Sequence, residues 1–349
     1  MIPFVRVVEV WVPSEDGHLL ELAGGLFDAA PAYGAISRHM RFGRGEALPG
    51  RAWDKGCPQL LPRLAGSYFR RTAGAQAAGL TCAAAVPIFI GDRLSSVVVL
   101  LCGDEPTQVG AVELWHNAPR ITSDLKLADG YFGATGPAVE ALTRDGSLPR
   151  DAGAPRPGLA WQRESAVFID NVGDSAQFLR SQVAARGGIL RALAIPCTSQ
   201  DRKIWVLSLL SSSGTPVARR FESGIVHDGA GSDTQPYMQR GFGFCEAQGR
   251  LTLNGASSMP LASAGAVAEV ARTGVAQAAS GVAALAAMSA ANANAARVTS
   301  VLAIPVISDA AVTEVVALYF ESLFNFERVV PSSRLRATRL VPSLSDQTP

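Results

Sequence analysis

Ala85-Val86-Pro87-Ile88 is the stretch on which the organisation of this chain depends, because it occurs three times. It returns as Ala194-Ile195-Pro196-Cys197 and again as Ala303-Ile304-Pro305-Val306. The three prolines are separated by 109 and 109 residues. Matching tetrapeptides at an equal spacing indicate a structural unit that is repeated along the chain.

A second landmark keeps nearly the same period, and a third opens each unit. Leu48-Pro49-Gly50-Arg51-Ala52-Trp53 matches Arg156-Pro157-Gly158-Leu159-Ala160-Trp161, and Ala264–Ala268 is a weaker third copy. Nearer the start of each unit, Val8-Glu9-Val10-Trp11 matches Val112-Glu113-Leu114-Trp115. In the third copy only Phe221–Val226 remains, without the tryptophan.

These landmarks divide the 349 residues into three units and a tail. We place the first unit at 1–104, the second at 105–214, the third at 215–327 and the C-terminal tail at 328–349. The third unit is expected to be degenerate, because it lacks the tryptophan and carries a low-complexity alanine tract over 276–296. Three units also agree with the usual size of a domain.

Each unit is predicted to run in the order hairpin, loop, helix, hairpin. In the first unit, Val8, Val10 and Val12 share one phase, as in a strand, and Gly17 lies in the turn that follows. The remaining predicted elements are a short helix after Gly50, a strand near 59–61, a helix over 67–78 and a closing hairpin of 82–90 and 94–102. Hairpins form antiparallel sheets and the helices must cover them, so we expect an α+β fold.

Composition favours a globular protein without a strongly charged surface. Hydrophobic residues make up 48% of the chain and the net charge is +1, so we expect binding neither to nucleic acid nor to a membrane. The sequence shows no signal-peptide pattern and no apolar run of membrane-spanning length, which predicts a cytoplasmic protein. Five widely spaced cysteines without a CxxC pair argue against a disulfide framework or a zinc site.

The landmarks resemble those of GAF domains, which commonly show a stretch like Leu48–Trp53, then a run like Lys55–Pro58 and a closing element like Ala85–Ile88. The resemblance covers nearly all of the first unit, much of the second, and Gly265–Gly274 with the final hairpin in the third. It implies three tandem GAF-like domains, each an antiparallel sheet with helices on both faces. It also implies a small-molecule pocket between the sheet and a helical lid, dimerisation in some members, and regulation of a separate output.

Four residues are candidates for ligand binding. Trp53 and Trp161 occupy equivalent positions, where they either form an aromatic wall of a pocket or pack a loop onto the sheet. Arg51 either meets an anionic ligand inside the lid or lies at the surface. Cys57 lies beside Lys55, which can activate a thiol; the alternative is a buried structural cysteine.

The sequence shows no P-loop, no GxSxG elbow and no HExxH motif, and its four histidines are scattered. We therefore expect a non-catalytic sensory or regulatory protein that binds a small molecule and signals to a separate partner protein, with a homodimer possible. No particular cofactor is indicated. Two alternatives remain: an interaction scaffold whose pockets are filled by side chains, and a thiol redox enzyme of the GAF-fold methionine-sulfoxide reductase type. For the enzyme, the first unit with its three cysteines is the candidate.

Overall fold

The computed structural model describes residues 3–103, 108–117, 125–133, 156–173, 181–200, 203–228, 235–251, 258–281 and 298–321. These residues form three antiparallel sheets in chain order. The predicted tail at 328–349 and most of the alanine tract lie outside the described residues. The start of that tract, Gln277–Ser280, is a strand and not the helix that its alanine content predicted, because it pairs with a strand of the closing hairpin.

The first sheet has six strands in the order β3-β2-β1-β6-β5-β4. Its strands are β1 (Val5–Pro13), β2 (Leu19–Leu26), β3 (Arg41–Gly43), β4 (Gln59–Leu61), β5 (Leu80–Ile90) and β6 (Arg93–Gly103). Its helices are α1 (Pro31–Ser37), α2 (Ala47–Lys55) and α3 (Thr72–Ala77). The two predicted hairpins are present, and the Leu48–Trp53 landmark lies within α2.

The second sheet has five described strands in the order β8-β7-β11-β10-β9. Its elements are β7 (Gly110–His116), β8 (Lys126–Tyr131), α4 (Arg156–Arg163), β9 (Val167–Ile169), α5 (Ser181–Arg186), β10 (Arg191–Cys197) and β11 (Trp205–Ser211). The helix α5 begins 109 residues after α3, so the period of the prolines also holds for the helices.

The third sheet has the order β14-β13-β12-β18-β17-β16, and β15 pairs with β13. Its elements are β12 (Arg220–His227), β13 (Tyr237–Cys245), β14 (Gly249–Arg250), β15 (Ser258–Pro260), α6 (Ala266–Thr273), β16 (Gln277–Ser280), β17 (Val298–Ser308) and β18 (Ala311–Glu321). This order is the same as in the first sheet, with β12 in the place of β1.

The repeated proline stands where its strand has a neighbour on one side only. β4 pairs with β5 as far as Ala85, β9 with β10 as far as Ala194, and β16 with β17 as far as Ala303. In each case the proline follows two residues later, past the end of the short edge strand. A missing N–H therefore leaves no ladder hydrogen bond unmade there.

The inner faces of the three sheets pack against one another in a single hydrophobic core. Equivalent residues of the central strands meet in this core, namely Val98 and Leu100, Leu207 and Leu209, and Val316 and Leu318. All three proline motifs line one small apolar gap within it. The described residues of the three units therefore share one core, in which equivalent residues of the three sheets meet.

The described helices of the first unit all cover the opposite, outer face of their sheet. Tyr33 of α1, Leu48 of α2 and Ala75 of α3 pack in one cluster with Trp11 and Val99. The α+β class and the antiparallel sheets agree with the sequence prediction. The placement of helices on both faces does not hold for the described helices, because the inner face is already covered by the other two sheets.

The sheets contact each other head to tail. Ala276 N, just before β16, donates a hydrogen bond to Ser96 Oγ of the first sheet, at 3.2 Å. Ala166 N, just before β9, donates to Glu314 Oε2 of the third sheet, at 2.7 Å. Gln200 N of the second unit donates to the carbonyl of Gly56 in the first, at 2.9 Å. The first unit thus contacts the second, the second contacts the third and the third contacts the first, each through equivalent segments, so the three units form a closed ring.

Candidate functional site

The outer pocket of the first unit lies between its sheet and its helices, where the resemblance placed a ligand. An ion pair occupies it. Arg71, which precedes α3, binds both oxygens of Glu9 on β1, with Nη2 donating to Oε2 at 3.0 Å. Arg71 Nη1 also donates to Ser37 Oγ at 2.6 Å, and Trp11 Nε1 donates to Glu9 Oε2 at 3.1 Å. Both charged side chains are almost fully buried.

Aromatic rings surround the Arg71 guanidinium. Its central carbon lies 4.8 Å from the ring centre of Tyr33, 5.3 Å from Phe69, 5.5 Å from Trp11 and 5.6 Å from Phe42. Rings at these distances attract a cation. This pocket is therefore closed by the protein's own side chains.

The electrostatics of the pocket favour charged Arg71 and neutral Tyr33. Burial acts to lower the pKa of Arg71, but Glu9, through its charge and hydrogen bonds, and Tyr33 together outweigh burial, so the pKa is raised. Burial raises the pKa of Tyr33 well above its ordinary value, and the charge of Glu9 adds to this effect. These shifts keep Arg71 charged and leave Tyr33 as a neutral phenol.

A buried glutamate occupies the same position in all three sheets. Glu9, Glu113 and Glu222 each lie on the strand that opens their unit and pair with equivalent positions of the central strand. Trp115 Nε1 donates to Glu113 at 2.9 Å, repeating the contact of Trp11. Glu222 pairs with Arg220. The sequence signal for this feature is the glutamate shared by Val8–Trp11 and Val112–Trp115, which the strand pattern alone does not distinguish from any other strand residue.

The four residues predicted to bind a ligand do not form one site. Arg51 and Trp53 lie on α2, where Arg51 stacks on the Tyr68 ring at 3.7 Å and Trp53 is half-buried against the outer core. Trp161 lies on α4 and packs in a buried cluster with Trp115. Cys57 lies on the opposite side of the first sheet, in the shared inner core, where the Gln59 amide contacts its sulfur at 3.3 Å.

An open cleft lies between the second and third sheets. Its volume is about 460 Å³, and it is lined on one side by the end of α4 and by β9, and on the other by β12, β13, β14 and β18. The polar side chains among its walls are Arg163, Ser165, Ser223, Arg250 and Glu314. A cavity of this size suits a small organic molecule. Our sequence reasoning did not find it, because its two walls are far apart in the chain.

Glu314 joins the two walls of the cleft at its buried end. It accepts hydrogen bonds from Ala166 N and from Ser165 Oγ at 2.9 Å, both of the second unit, and from Ser223 Oγ of the third. Burial raises the pKa of Glu314, and these hydrogen bonds offset part of the rise. The carboxyl group therefore links the second and third sheets through hydrogen bonds, and we call it the clasp.

Four phenylalanines form the aromatic part of the same contact. Phe168 of β9 lies 5.0 Å from Phe221, 5.1 Å from Phe244 and 6.0 Å from Phe242, measured between ring centres. Phe221 and Phe244 are buried, whereas Phe168 and Phe242 are partly exposed where they line the cleft. The rings of Phe168 and Phe242 are nearly parallel, at 12°.

Charged side chains stand at the mouth of the cleft. Arg250 binds Asp170 across the two units through two hydrogen bonds, of 2.5 and 2.9 Å. The Arg250 guanidinium lowers the pKa of Asp170. Arg163, at the end of α4, is exposed. The cleft thus has an apolar floor, formed by the Phe168 and Phe242 rings, and the guanidinium groups of Arg163 and Arg250 at its mouth.

The solved structures that match this chain include GAF domains. A GAF domain of A. Aeolicus nlh2 in an inactive state is 20% identical, with a TM-score of 0.23, and the match covers 29% of this chain and 59% of that one. The GAF domain of a two-component sensor histidine kinase from Bacillus halodurans is 18% identical, with a TM-score of 0.21, covering 29% and 63%. A GAF domain/HD domain protein from Geobacter sulfurreducens is 12% identical, with a TM-score of 0.24, covering 32% and 68%.

No protein-family model and no curated protein matches the chain. The chain spans about three fifths of the first two structures named above. These matches are to GAF domains, the family that the sequence motifs resemble, at identities of 12–20%. Among the described residues, no helix is long and apolar enough to span a membrane, and no group of three or more His, Cys, Asp or Glu side chains is placed to hold a metal ion.

Proposed function

We propose that this is a non-catalytic sensory or regulatory protein that binds a small molecule in the cleft between its second and third sheets. The observation that carries the proposal is a contrast between two places. The outer pocket of the first unit is closed by Arg71 and its ring of aromatic residues, whereas the cleft is open and about 460 Å³ in volume. Open pockets with an apolar floor and a few polar groups are typical binding sites.

The position of the cleft suits a regulatory role. Its walls belong to different units, and both units share the inner core with the first. A ligand that binds more tightly to one arrangement of the two walls will shift the population towards that arrangement. Through the shared core, the change would reach surfaces on all three units, where a separate partner protein reads it.

The test is native mass spectrometry of the full chain purified from its own source. We expect a co-purified small molecule that is lost from the double variant Arg163→Gln/Arg250→Gln, since both residues line the cleft and both are exposed. The matched control is Arg44→Gln, which removes an exposed arginine paired with Asp54 at 3.1 Å in the first unit. Absence of any bound molecule, or its retention in the double variant, would overturn the proposal.

A second candidate is an interaction scaffold, and the closed pocket of the first unit favours it. It predicts that a partner binds equally well to the wild type and to the cleft variants. The thiol redox alternative has less support from the geometry, because a reactive cysteine needs an accessible thiolate. Cys57, Cys82 and Cys102 are 7%, 0% and 0% exposed in the inner core.

A further inference from the structure

We propose that the ligand of the cleft is a planar aromatic or conjugated molecule that carries a carboxylate-type anion. This inference rests on the function proposed above and names the chemistry of its site. It follows from three properties of the described walls: the aromatic floor, the cations at the mouth and the state of the buried carboxyl group.

Two partly exposed aromatic rings line the floor. Phe168 and Phe242 come from different sheets, lie nearly parallel and leave part of each ring towards the cleft. Behind them, Phe221 and Phe244 hold Phe168 in place, with ring centres 5.0 and 5.1 Å away. Fixed rings of this kind favour offset or edge contacts with another planar ring. An aliphatic ligand would gain the apolar contact but not this geometry.

The mouth offers positive charge. Arg163 and Arg250 are both wall residues, and a guanidinium group recognises a carboxylate through paired hydrogen bonds. Arg250 already shows this geometry with Asp170, at 2.5 and 2.9 Å. That ion pair is exposed on the arginine side, so a ligand carboxylate can share or replace it at little cost.

The buried end of the cleft adds little negative charge to repel an anion. Glu314 is the one carboxylate among the described lining residues, and it faces Ser165, Ser223 and the amide of Ala166. These groups compensate whatever charge it carries, and burial favours its neutral form. A ligand ring on the floor therefore meets little negative charge from Glu314, whereas its anion at the mouth must compete with Asp170 for Arg250.

The experiment uses 2-naphthoate as the probe and isothermal titration calorimetry of the full chain. We expect one site for 2-naphthoate and at least about tenfold weaker binding of the neutral analogue 2-naphthylmethanol, because charge-assisted hydrogen bonds contribute on this scale. Arg163→Gln/Arg250→Gln should weaken 2-naphthoate about tenfold or more and leave the neutral analogue unchanged. Phe242→Leu should weaken both probes, and Arg44→Gln should weaken neither.

The outcomes separate this inference from the function on which it rests. Equal affinity for the two probes, or 2-naphthoate binding that Arg163→Gln/Arg250→Gln leaves intact, would overturn the anionic-aromatic class. If mass spectrometry then still shows a co-purified molecule that depends on the cleft, the proposed function stands with a ligand of another class. If neither probe binds and nothing co-purifies, both proposals fail.

Discussion

Replacing Arg71 by methionine should destabilise the protein strongly, because it leaves Glu9 charged and buried without its main partner. In the wild type, Glu9 is bound by Arg71 through both oxygens and by the Trp11 indole at 3.1 Å. The variant keeps only the indole contact among these and also removes the donor to Ser37. Breaking a buried ion pair from one side costs about 3–5 kcal/mol, and we expect a loss in this range.

A double variant separates the charge from the packing. Glu9→Gln keeps an oxygen that can accept from the Trp11 indole, and methionine fills much of the volume left by Arg71 within its ring of aromatic side chains. With both charges gone, no uncompensated ion remains in the core. The double variant should therefore cost less than Arg71→Met alone, by about 1–3 kcal/mol.

The assay is urea unfolding at constant pH, followed by circular dichroism and by tryptophan fluorescence. The control is Arg44→Met, which breaks an exposed pair with Asp54 and should cost at most about 1 kcal/mol. A loss below about 1 kcal/mol for Arg71→Met would refute the reasoning. So would a double variant whose cost equals the sum of the two single changes, because the residues would then be uncoupled.

Three further predictions concern the clasp and the glycines. Glu314→Gln should become more stable relative to the wild type as the pH rises from about 4 to 7. Burial raises the Glu314 pKa in the folded state, so the wild type loses stability as Glu314 is deprotonated, and glutamine does not. A difference in the free energy of urea unfolding that does not change with pH would contradict this. Gly50→Ala should cost several-fold more than Gly43→Ala in thermal unfolding, because a Cβ at Gly50 would lie 2.1 Å from a backbone oxygen and one at Gly43 would have normal contacts; equal costs would contradict it. Gly56→Ala should lower the free energy of unfolding, measured in urea, more than Gly17→Ala does. Both glycines have positive φ, which costs a residue with a Cβ about 1–2 kcal/mol, but only the Cβ at Gly56 would also lie 2.8 Å from a side chain of the second unit. Equal losses would show that this contact has no effect on stability.

The elements of each unit could be predicted from local patterns, but their packing could not. β5 and β6 are buried along almost their whole length on both faces. A continuous apolar strand indicates two covered faces without saying what covers them. The resemblance supplied helices for both, whereas the structure covers the inner face with the other two sheets. The local sequence does not predict that contact, because the strands that cover the inner face lie about one and two repeats away in the chain.

The contacts of the candidate site residues could not be predicted from local sequence either. Glu9 and Arg71 are 62 residues apart, and no spacing rule connects a strand residue to the residue before a distant helix. The Trp53 and Trp161 equivalence was visible in the sequence, and both do lie on equivalent helices against outer cores. Cys57 looked reactive because of its neighbour Lys55, but chain proximity does not determine which face of the sheet a side chain meets. Its sulfur lies in the inner core.

One repeated position differs in residue type at the contact between the second and third units, where the open cleft lies. The helices α2 and α6 end at Gly56 and Gly274, both in the left-handed conformation, and a Cβ there would lie 2.8 and 2.5 Å from side chains of the neighbouring unit. The hairpin turn of the neighbour therefore packs directly on each glycine. After α4 the same position is Glu164, also left-handed at φ 49°.

At Glu164 a side chain takes part in the contact with the neighbouring unit. The neighbouring turn instead meets it at the level of the carboxylate, where Ser308 Oγ donates at 2.6 Å. The cleft beside this contact is lined by Arg163 and Ser165, the residues on either side of Glu164. Of the three similar contacts, the one beside the cleft is thus the one where a non-glycine residue takes the left-handed conformation.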